Sequence, residues 1–245
     1  AREIDETART VGFYQIVGHG VPRSLIDAVH DARASLSALP EERKAQLMGP
    51  TGHPFRGLHL NRDDAGVVRQ ERFMCSRFDS PADAVAVGYD REIAEYVDHN
   101  TWPAELPGLR SAVDAYFTRT RELGRRLMGL FAIAAGMGRD GFAACDPMNA
   151  SSFAINYYPP RREPLTHTPT VLFRAHADVG TLTLVHQRGD YQGLQVHHPD
   201  QPGTWIDVPV IDDAYVINVG QMMTHWTNGA WPATRHRVVA SENPD

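Results

Sequence analysis

The chain has 245 residues, 42% of them hydrophobic and 22% charged, which suits one large domain or two small ones with a buried core and excludes a disordered or low-complexity class. A formal net charge of −6 offers no basic field to a phosphate backbone, and Arg125-Arg126 and Arg161-Arg162 are isolated pairs, so nucleic acid is not an expected partner. No apolar run approaches the ~18 residues of a membrane span and no signal-like start is present, so no membrane is expected and the expected compartment is the cytoplasm.

Cys75 and Cys145 lie far apart in no CxxC pattern and are expected as buried free thiols. The chain starts without Met and stops at Asp245 soon after a strand-like run, and is expected to be a fragment of a longer protein.

Residues 1–10 read as the end of a helix, with Ile4, Ala8 and Val11 at helical spacing and Gly12 as the stop. Val11 to Val17 follows as a strand, closed by Gly18-His19-Gly20. From Pro22 to Leu39, Leu25, Val29, Ala32, Leu36 and Leu39 recur every three or four residues, which predicts an amphipathic helix. Pro40 suits the first turn of a second short helix, Glu41 to Met48. Residues 49–105 carry much of the Pro, Gly and Asp without a sustained period. They are expected as long loops with short strands around Glu71-Arg72-Phe73-Met74-Cys75, forming the mouth of a site.

Leu106 to Ala135 is expected as a long helix that braces a sheet, with Leu109, Val113, Tyr116, Phe117, Leu123, Leu127, Leu130 and Phe131 on one face and Gly136 and Gly138 as stops. After Asn149 come short strand candidates: Ser151 to Tyr158, Thr170 to Ala177, Thr181 to Gln187, Leu194 to His197, Thr204 to Val210, Ala214 to Val219 and Arg235 to Ala240. Turn signals such as Pro159-Pro160, Gly189-Asp190, Pro202-Gly203 and Asn228-Gly229 separate them, which favours a barrel or double-sheet jelly roll over a βαβ fold. The fold class expected is α+β, mainly β.

Within Phe173 to Leu184, His176 and Asp178 stand two residues apart at the end of an apolar run, so an extended backbone turns both to one face. A carboxylate beside an apolar strand needs a partner that offsets burial, and a cation is an efficient one. A third ligand is available in His236, on another β-prone run. Two His and one carboxylate leave three positions open on a metal, the ligand set of non-haem Fe(II) oxygenases, although spacing alone does not decide the matter. His53, His99 and His167 read as solvated loop residues.

Seven pieces occur in one order: Val11 to Gly20 (VGFYQIVGHG), Asn156-Tyr157-Tyr158-Pro159-Pro160, His176-Ala177-Asp178, Gly193-Leu194-Gln195-Val196, Val216-Ile217-Asn218-Val219-Gly220, Trp226-Thr227-Asn228-Gly229 and His236-Arg237-Val238. With them the chain resembles the isopenicillin N synthase-like branch of Fe(II)/2-oxoglutarate-dependent dioxygenases over nearly its whole length.

The resemblance implies a double-stranded β-helix (jelly-roll, cupin-like) core, with a helical N-terminal region at 1–105, the bracing helix and its connection at 106–148, and the core at 149–245, truncated at its C-terminal end. It implies that His176, Asp178 and His236 bind Fe(II), that 2-oxoglutarate and O2 are cosubstrates, and that ascorbate serves as an activator in vitro. The expected chemistry is oxidative decarboxylation of 2-oxoglutarate to succinate and CO2, coupled to hydroxylation, desaturation or ring closure of a small-molecule metabolite, as in antibiotic biosynthesis and other secondary metabolism.

Asn156 and Tyr158 match cosubstrate positions, Tyr158 offering its hydroxyl to a carboxylate, with a plain core tyrosine as the alternative. The family's Arg for the distal carboxylate is expected beyond Asp245. Gln221 stands where the family usually has Asp. Arg174, two residues before His176, faces the ligand side on a regular strand and is a candidate substrate contact together with Phe73. Two alternatives stay open, an isopenicillin N synthase-type oxidase using Fe(II) and O2 without 2-oxoglutarate, and a non-catalytic cupin-like metal-binding module. No oligomeric state is read from the sequence.

Overall fold

The structure is a computed structural model that describes residues 1–47, 55–146, 149–160, 170–189 and 193–240. The expectations on Met48, His53, Arg161-Arg162, His167 and Asp190 lie outside the described residues. The chain forms two compact units, Ala1–Gly20 with Glu122–Ala143 and Pro160–Asp245, and Val21–Arg121 with Ala144–Pro159. Each unit is assembled from distant stretches of the chain.

The first unit contains α1 (Arg2–Arg9), β1 (Phe13–Ile16), the C-terminal half of a long helix, and then β5 (Val171–His176), β6 (Leu182–His186), β7 (Leu194–His197), β8 (Trp205–Asp207), β9 (Tyr215–Val219), α7 (Gln221–Trp226) and β10 (His236–Val239). Its strands form two sheets, ordered β1-β9-β6 and β5-β10-β7-β8, with every pairing antiparallel. Strand β9 is Tyr-Val-Ile-Asn-Val, buried at all five positions. Its alternating side chains serve two layers. Val216 joins Phe13 of β1 with Leu194 and Val196 of β7 and Val208 in one apolar cluster, so the two sheets share a core. Val219, on the opposite side, packs with Ala8, Phe131, Met223 and Trp231. Trp231 is 1% exposed, and its indole N–H donates to Asp5 at 2.8 Å, which ties the helix α1 to this cluster. The first unit thus holds the double-sheet jelly roll, built from the strands expected after Thr170 with β1 added from the N-terminal region, while the strand expected at Ser151 to Tyr158 belongs to the second unit.

The second unit holds α2 (Arg23–Ser37), α3 (Glu41–Gln46), β2 (Gly57–Arg62), β3 (Val68–Ser76), α4 (Pro81–Ala86), α5 (Arg91–Ala94), the N-terminal half of the long helix α6 (Pro107–Ala134), and β4 (Ser152–Tyr157). Here the expectation of long loops over 49–105 needs correction. Strands β2 and β3 form a hairpin that continues onto β4. Asp63 closes its turn by accepting from the amides of Ala65 and Val67, with Gly66 at φ +80°. Ser80 and Asp83 form a capping box that starts α4. Leu58, Phe73 and Cys75 face the apolar cluster with Leu36, Leu47, Leu109 and Val113. By alternation the other face carries His59, Asn61, Gln70, Arg72 and Asn156.

Helix α6 braces both units internally, with Leu109, Val113 and Tyr116 buried in one and Leu123, Leu127 and Phe131 in the other. Of the two free thiols Cys75 is buried but Cys145 is exposed, contrary to expectation, because it ends a surface 3-10 turn. Among the described residues no helix is long and apolar enough to cross a membrane.

Candidate metal centre

Strand β10 lies between β5 and β7, and its register sets His236 directly opposite His176. Directly opposed residues on adjacent strands project to the same face, and the two imidazole centroids are 4.2 Å apart. Asp178 follows at the turn that leaves β5. Its Oδ1 lies 3.5 Å from His176 Nε2 and 3.7 Å from His236 Nε2. One donor atom from each of the three residues falls within 4.8 Å of the others. The structure therefore brings together all three residues that the sequence singled out.

The hydrogen bonds around the triad decide which atoms it presents. His176 Nδ1 faces the Arg174 carbonyl at 3.0 Å and His236 Nδ1 faces the Thr234 carbonyl at 3.3 Å. A carbonyl only accepts, so each Nδ1 carries the proton and each Nε2 keeps a lone pair directed at the shared space. On the carboxylate, Thr183 Oγ1 donates to Oδ2 at 2.5 Å and Asn218 Nδ2 donates to the same oxygen at 2.8 Å. Thr183 and Asn218 are themselves directly opposed on β6 and β9. A cross-strand pair in one sheet thus holds Asp178 against a cross-strand pair of imidazoles in the other. Oδ2 is taken and Oδ1 is left facing the rings.

Electrostatics follow the same division. Burial alone would raise the Asp178 carboxyl, but the His176 ring beside it, the hydrogen bonds from Asn218 and Thr183 and the nearby His236 outweigh it and hold the group well below the usual carboxylate range. Burial pushes the His236 imidazole below its ordinary value, against the opposing pull of Asp178. At neutral pH the site offers an ionised carboxylate and a neutral His236, the protonation states that a divalent metal takes up. Metal bonds of about 2.0–2.2 Å to N and O donors suit a group this compact, and the donor set fits iron.

The loop carrying Asp178 is fixed by Gly220. Gln221 N donates to the Asp178 carbonyl at 2.8 Å and Gly220 N to the Thr181 carbonyl at 2.9 Å. A Cβ on residue 220 would run into the Gly180 carbonyl oxygen and sit 3.1 Å from that of Asp178. Only glycine lets these two backbones meet. Gln221, the departure noted in the sequence, contributes through its backbone.

Arg174 is placed differently from the expectation. The β5–β10 register pairs His236 with His176 but Val238 with Phe173, three residues against two, so a β-bulge intervenes. Alternation is broken there, and Phe173 rather than Arg174 shares the face of His176, its ring 4.8 Å from the imidazole. Arg174 is exposed, and no described carboxylate pairs with its guanidinium, so the burial that argued for an acidic ligand is absent. Phe73 is 1% exposed inside the apolar cluster of the second unit and packs 5.6 Å from the ring of Trp102, the placement of a core residue. Asn156 is exposed on β4 and Tyr158 is half-buried just beyond it. The sequence reading missed Thr183, Asn218 and Phe173 as functional residues, although all three lie inside or opposite the Phe173–Leu184 stretch.

Comparisons with known proteins bear on this geometry. A family model described as the 2OG-Fe(II) oxygenase superfamily matches residues 149–245, and one described as non-haem dioxygenase in morphine synthesis N-terminal matches residues 1–105. The chain is 30% identical to the validamycin A dioxygenase of Streptomyces hygroscopicus subsp. limoneus, over 98% of this chain and 66% of that protein. It is 31% identical to a 2-oxoglutarate-dependent dioxygenase of Aspergillus niger, over 93% of this chain and 69% of that one. It therefore spans about two thirds of the length of these curated relatives. A crystal structure of a 2OG-Fe(II) oxygenase family protein from Caulobacter crescentus superposes with a TM-score of 0.79 at 27% identity, covering 97% of this chain and 74% of that one. Neurospora crassa T7H in complex with alpha-KG and thymine shares the fold, with a TM-score of 0.83 at 24% identity over 100% of this chain and 75% of that one. With relatives at this level of identity along nearly its whole length and the oxygenase model matching the residues that carry the His-Asp-His group, the chain belongs to the 2OG-Fe(II) oxygenase superfamily.

Proposed function

We propose that the protein is a non-haem Fe(II) and 2-oxoglutarate-dependent oxygenase of the isopenicillin N synthase-like branch, which oxidises a small-molecule metabolite. The observation that carries this reading is the one-sided clamp on Asp178, because a carboxylate with one oxygen tied back by Thr183 and Asn218 gives a metal a single ligand atom. With the two Nε2 atoms, the described residues would offer a metal three protein donors, a set that suits Fe(II) and would leave room for a 2-oxo acid and O2. A structural metal is normally closed by protein ligands, so this arrangement disfavours a passive cupin-like module.

In this reading His176 Nε2, Asp178 Oδ1 and His236 Nε2 hold the iron. Bound iron supplies O2 activation coupled to oxidative decarboxylation of 2-oxoglutarate to succinate and CO2. The protein's own part is to fix and shield. The Arg174 and Thr234 carbonyls keep each Nδ1 protonated, and the rings of Phe173 and Phe13, 4.8 and 5.3 Å from His176 and His236, fix the imidazole planes and keep water from their flanks. Asn156 and Tyr158 hold a carboxylate of 2-oxoglutarate, as their match to the family's cosubstrate positions suggests. The relative named for validamycin A supports a small-molecule substrate from specialised metabolism.

The full-length protein, supplied with Fe(II), ascorbate and a panel of small metabolites, should release CO2 from carboxyl-labelled 2-oxoglutarate, with succinate in step with oxidised product. Undiminished product formation without any 2-oxo acid would favour the oxidase alternative.

A further inference from the structure

We propose that Gly12 is a positioning residue for the metal centre: having no side chain, it lets residues 232–234 close on the N-terminal segment, and this contact sets the Thr234 carbonyl that orients the His236 ring. The inference rests on the assignment of His236 to the metal made above.

Gly12 joins α1 to β1 and stands at φ +68°, in the left-handed region. A Cβ there would come 2.9 Å from Thr234 Oγ1 and 3.2 Å from the Pro232 carbonyl oxygen, where ordinary contact begins at 3.4 Å. One side would have to yield. Gly12 is held, because its N–H donates to the Thr7 carbonyl at 2.8 Å and its carbonyl accepts from Val219 N at 3.2 Å. The facing segment is held at both ends. Trp231 is 1% exposed in the core, and the Arg235 carbonyl accepts from His197 N at 2.8 Å. Residues 232–234 are a short bridge between these two anchors, stiffened by Pro232.

This bridge delivers Thr234. Its carbonyl faces His236 Nδ1 at 3.3 Å, close to the outer limit of an N–H···O bond. A displacement of a few tenths of an ångström, the amount a Cβ at residue 12 would demand, is enough to part them. Without that acceptor neither the tautomer nor the plane of the His236 ring is fixed. Phe13, the next residue, lies 5.3 Å from the same ring and directly opposite Asn218, which holds Asp178. The N-terminal segment thus supports the surroundings of two of the three metal ligands. Gly12 touches no metal in this account and acts through Thr234.

The test is Co(II) titration of the full-length protein, with affinity and the visible Co(II) spectrum as readouts. Gly18→Ala is the matched control, because Gly18 stands at φ +62° with nothing within 4 Å of a Cβ and so carries the backbone strain without the contact. Both variants should melt at a lower temperature. Only Gly12→Ala should weaken Co(II), by about tenfold, the lower end for an outer partner of a metal ligand, and only it should alter the spectrum. In a His236→Ala background the same substitution should cost no further affinity, since the ring it acts through is gone. Adding Thr234→Ala to Gly12→Ala keeps the carbonyl and removes Oγ1. It should recover most of the lost affinity and leave the lowered melting temperature.

Wild-type Co(II) affinity and spectrum in folded Gly12→Ala would overturn the proposal. So would an equal loss in the His236→Ala background, which marks a role in the fold alone, or no recovery on adding Thr234→Ala. If Gly12→Ala does not fold, the double variant decides: it should fold and bind Co(II) nearly as wild type, and its failure to fold would overturn the proposal by showing that backbone conformation alone requires the glycine. Wild-type Co(II) affinity in His236→Ala would instead remove the assignment on which the inference rests.

Discussion

Replacing Asn218 by Ala is the perturbation that best isolates the hold on Asp178. Asn218 is 1% exposed and gives its amide to Asp178 Oδ2 at 2.8 Å. A hydrogen bond to an ionised group contributes about 1.5–3 kcal/mol, and each ~1.4 kcal/mol is a factor of ten in affinity. One to two decades of metal affinity are therefore at stake, the ~10–100-fold seen when an outer partner of a metal ligand is lost. Thr183 still donates to the same oxygen, so the single substitution should fall near the lower end. The Asn218→Ala/Thr183→Val pair frees Oδ2 to turn onto the metal and should exceed either change alone. Mn(II) titration followed by electron paramagnetic resonance reads the affinity, with melting curves as the control for folding. Unaltered Mn(II) binding in a fully folded Asn218→Ala variant would refute the reasoning.

Three further outcomes are expected. Gly220→Ala should push the Asp178 turn off its seat, lowering stability by about 1–3 kcal/mol as overpacking does and weakening Mn(II) binding, both read on one purified sample. Burial pushes the Cys75 thiol up to about 12, so native protein should react with Ellman's reagent at Cys145 alone and unfolded protein at both; two fast thiols in the native state would contradict the placement of Cys75. Burial works to raise the Asp79 carboxyl, but bonds from Asn100 at 2.9 Å, Trp102 at 3.0 Å and Arg110 hold it below its ordinary value. Its stabilisation is thus present above the unfolded aspartate pKa and lost as pH falls through the lowered folded one. Asp79→Asn should therefore flatten the acid limb of a stability–pH curve.

The metal triad was legible in part because its chemistry is local. His176 and Asp178 stand two apart and His236 sits on a β-prone run; spacing left the matter open, and the resemblance to the dioxygenases decided it. What linear sequence does not carry is the pairing. The bulge between His176 and Phe173 exists because β5 has an extra residue against β10, and no glycine marks it, so strict alternation put Arg174 on the wrong face. Thr183 and Asn218 looked like ordinary strand residues until their register set them opposite each other. In β3, Gln70 and Glu71 are buried beside Phe73, Met74 and Cys75, so polar residues inside the strand erased its period while Asp63 and the Ser80–Asp83 box still marked its surroundings. Helix α7 begins at Gly220, which offers no capping side chain, and it went unread for that reason. The two-unit organisation depends on joining Ala1–Gly20 to residues beyond Pro160, a long-range property that no window of sequence holds.

The central claim is that His176, Asp178 and His236 form one three-donor iron site with open positions. It is tested most directly by anaerobic titration of the full-length protein with Fe(II), followed by 2-oxoglutarate, watching for the visible charge-transfer band that a 2-oxo acid gives on chelating Fe(II). The account predicts one equivalent of Fe(II), the band on adding 2-oxoglutarate, and loss of both in Asp178→Ala and in His236→Ala. A band of wild-type strength in either variant, or one Fe(II) bound tightly with no response to 2-oxoglutarate, would contradict it.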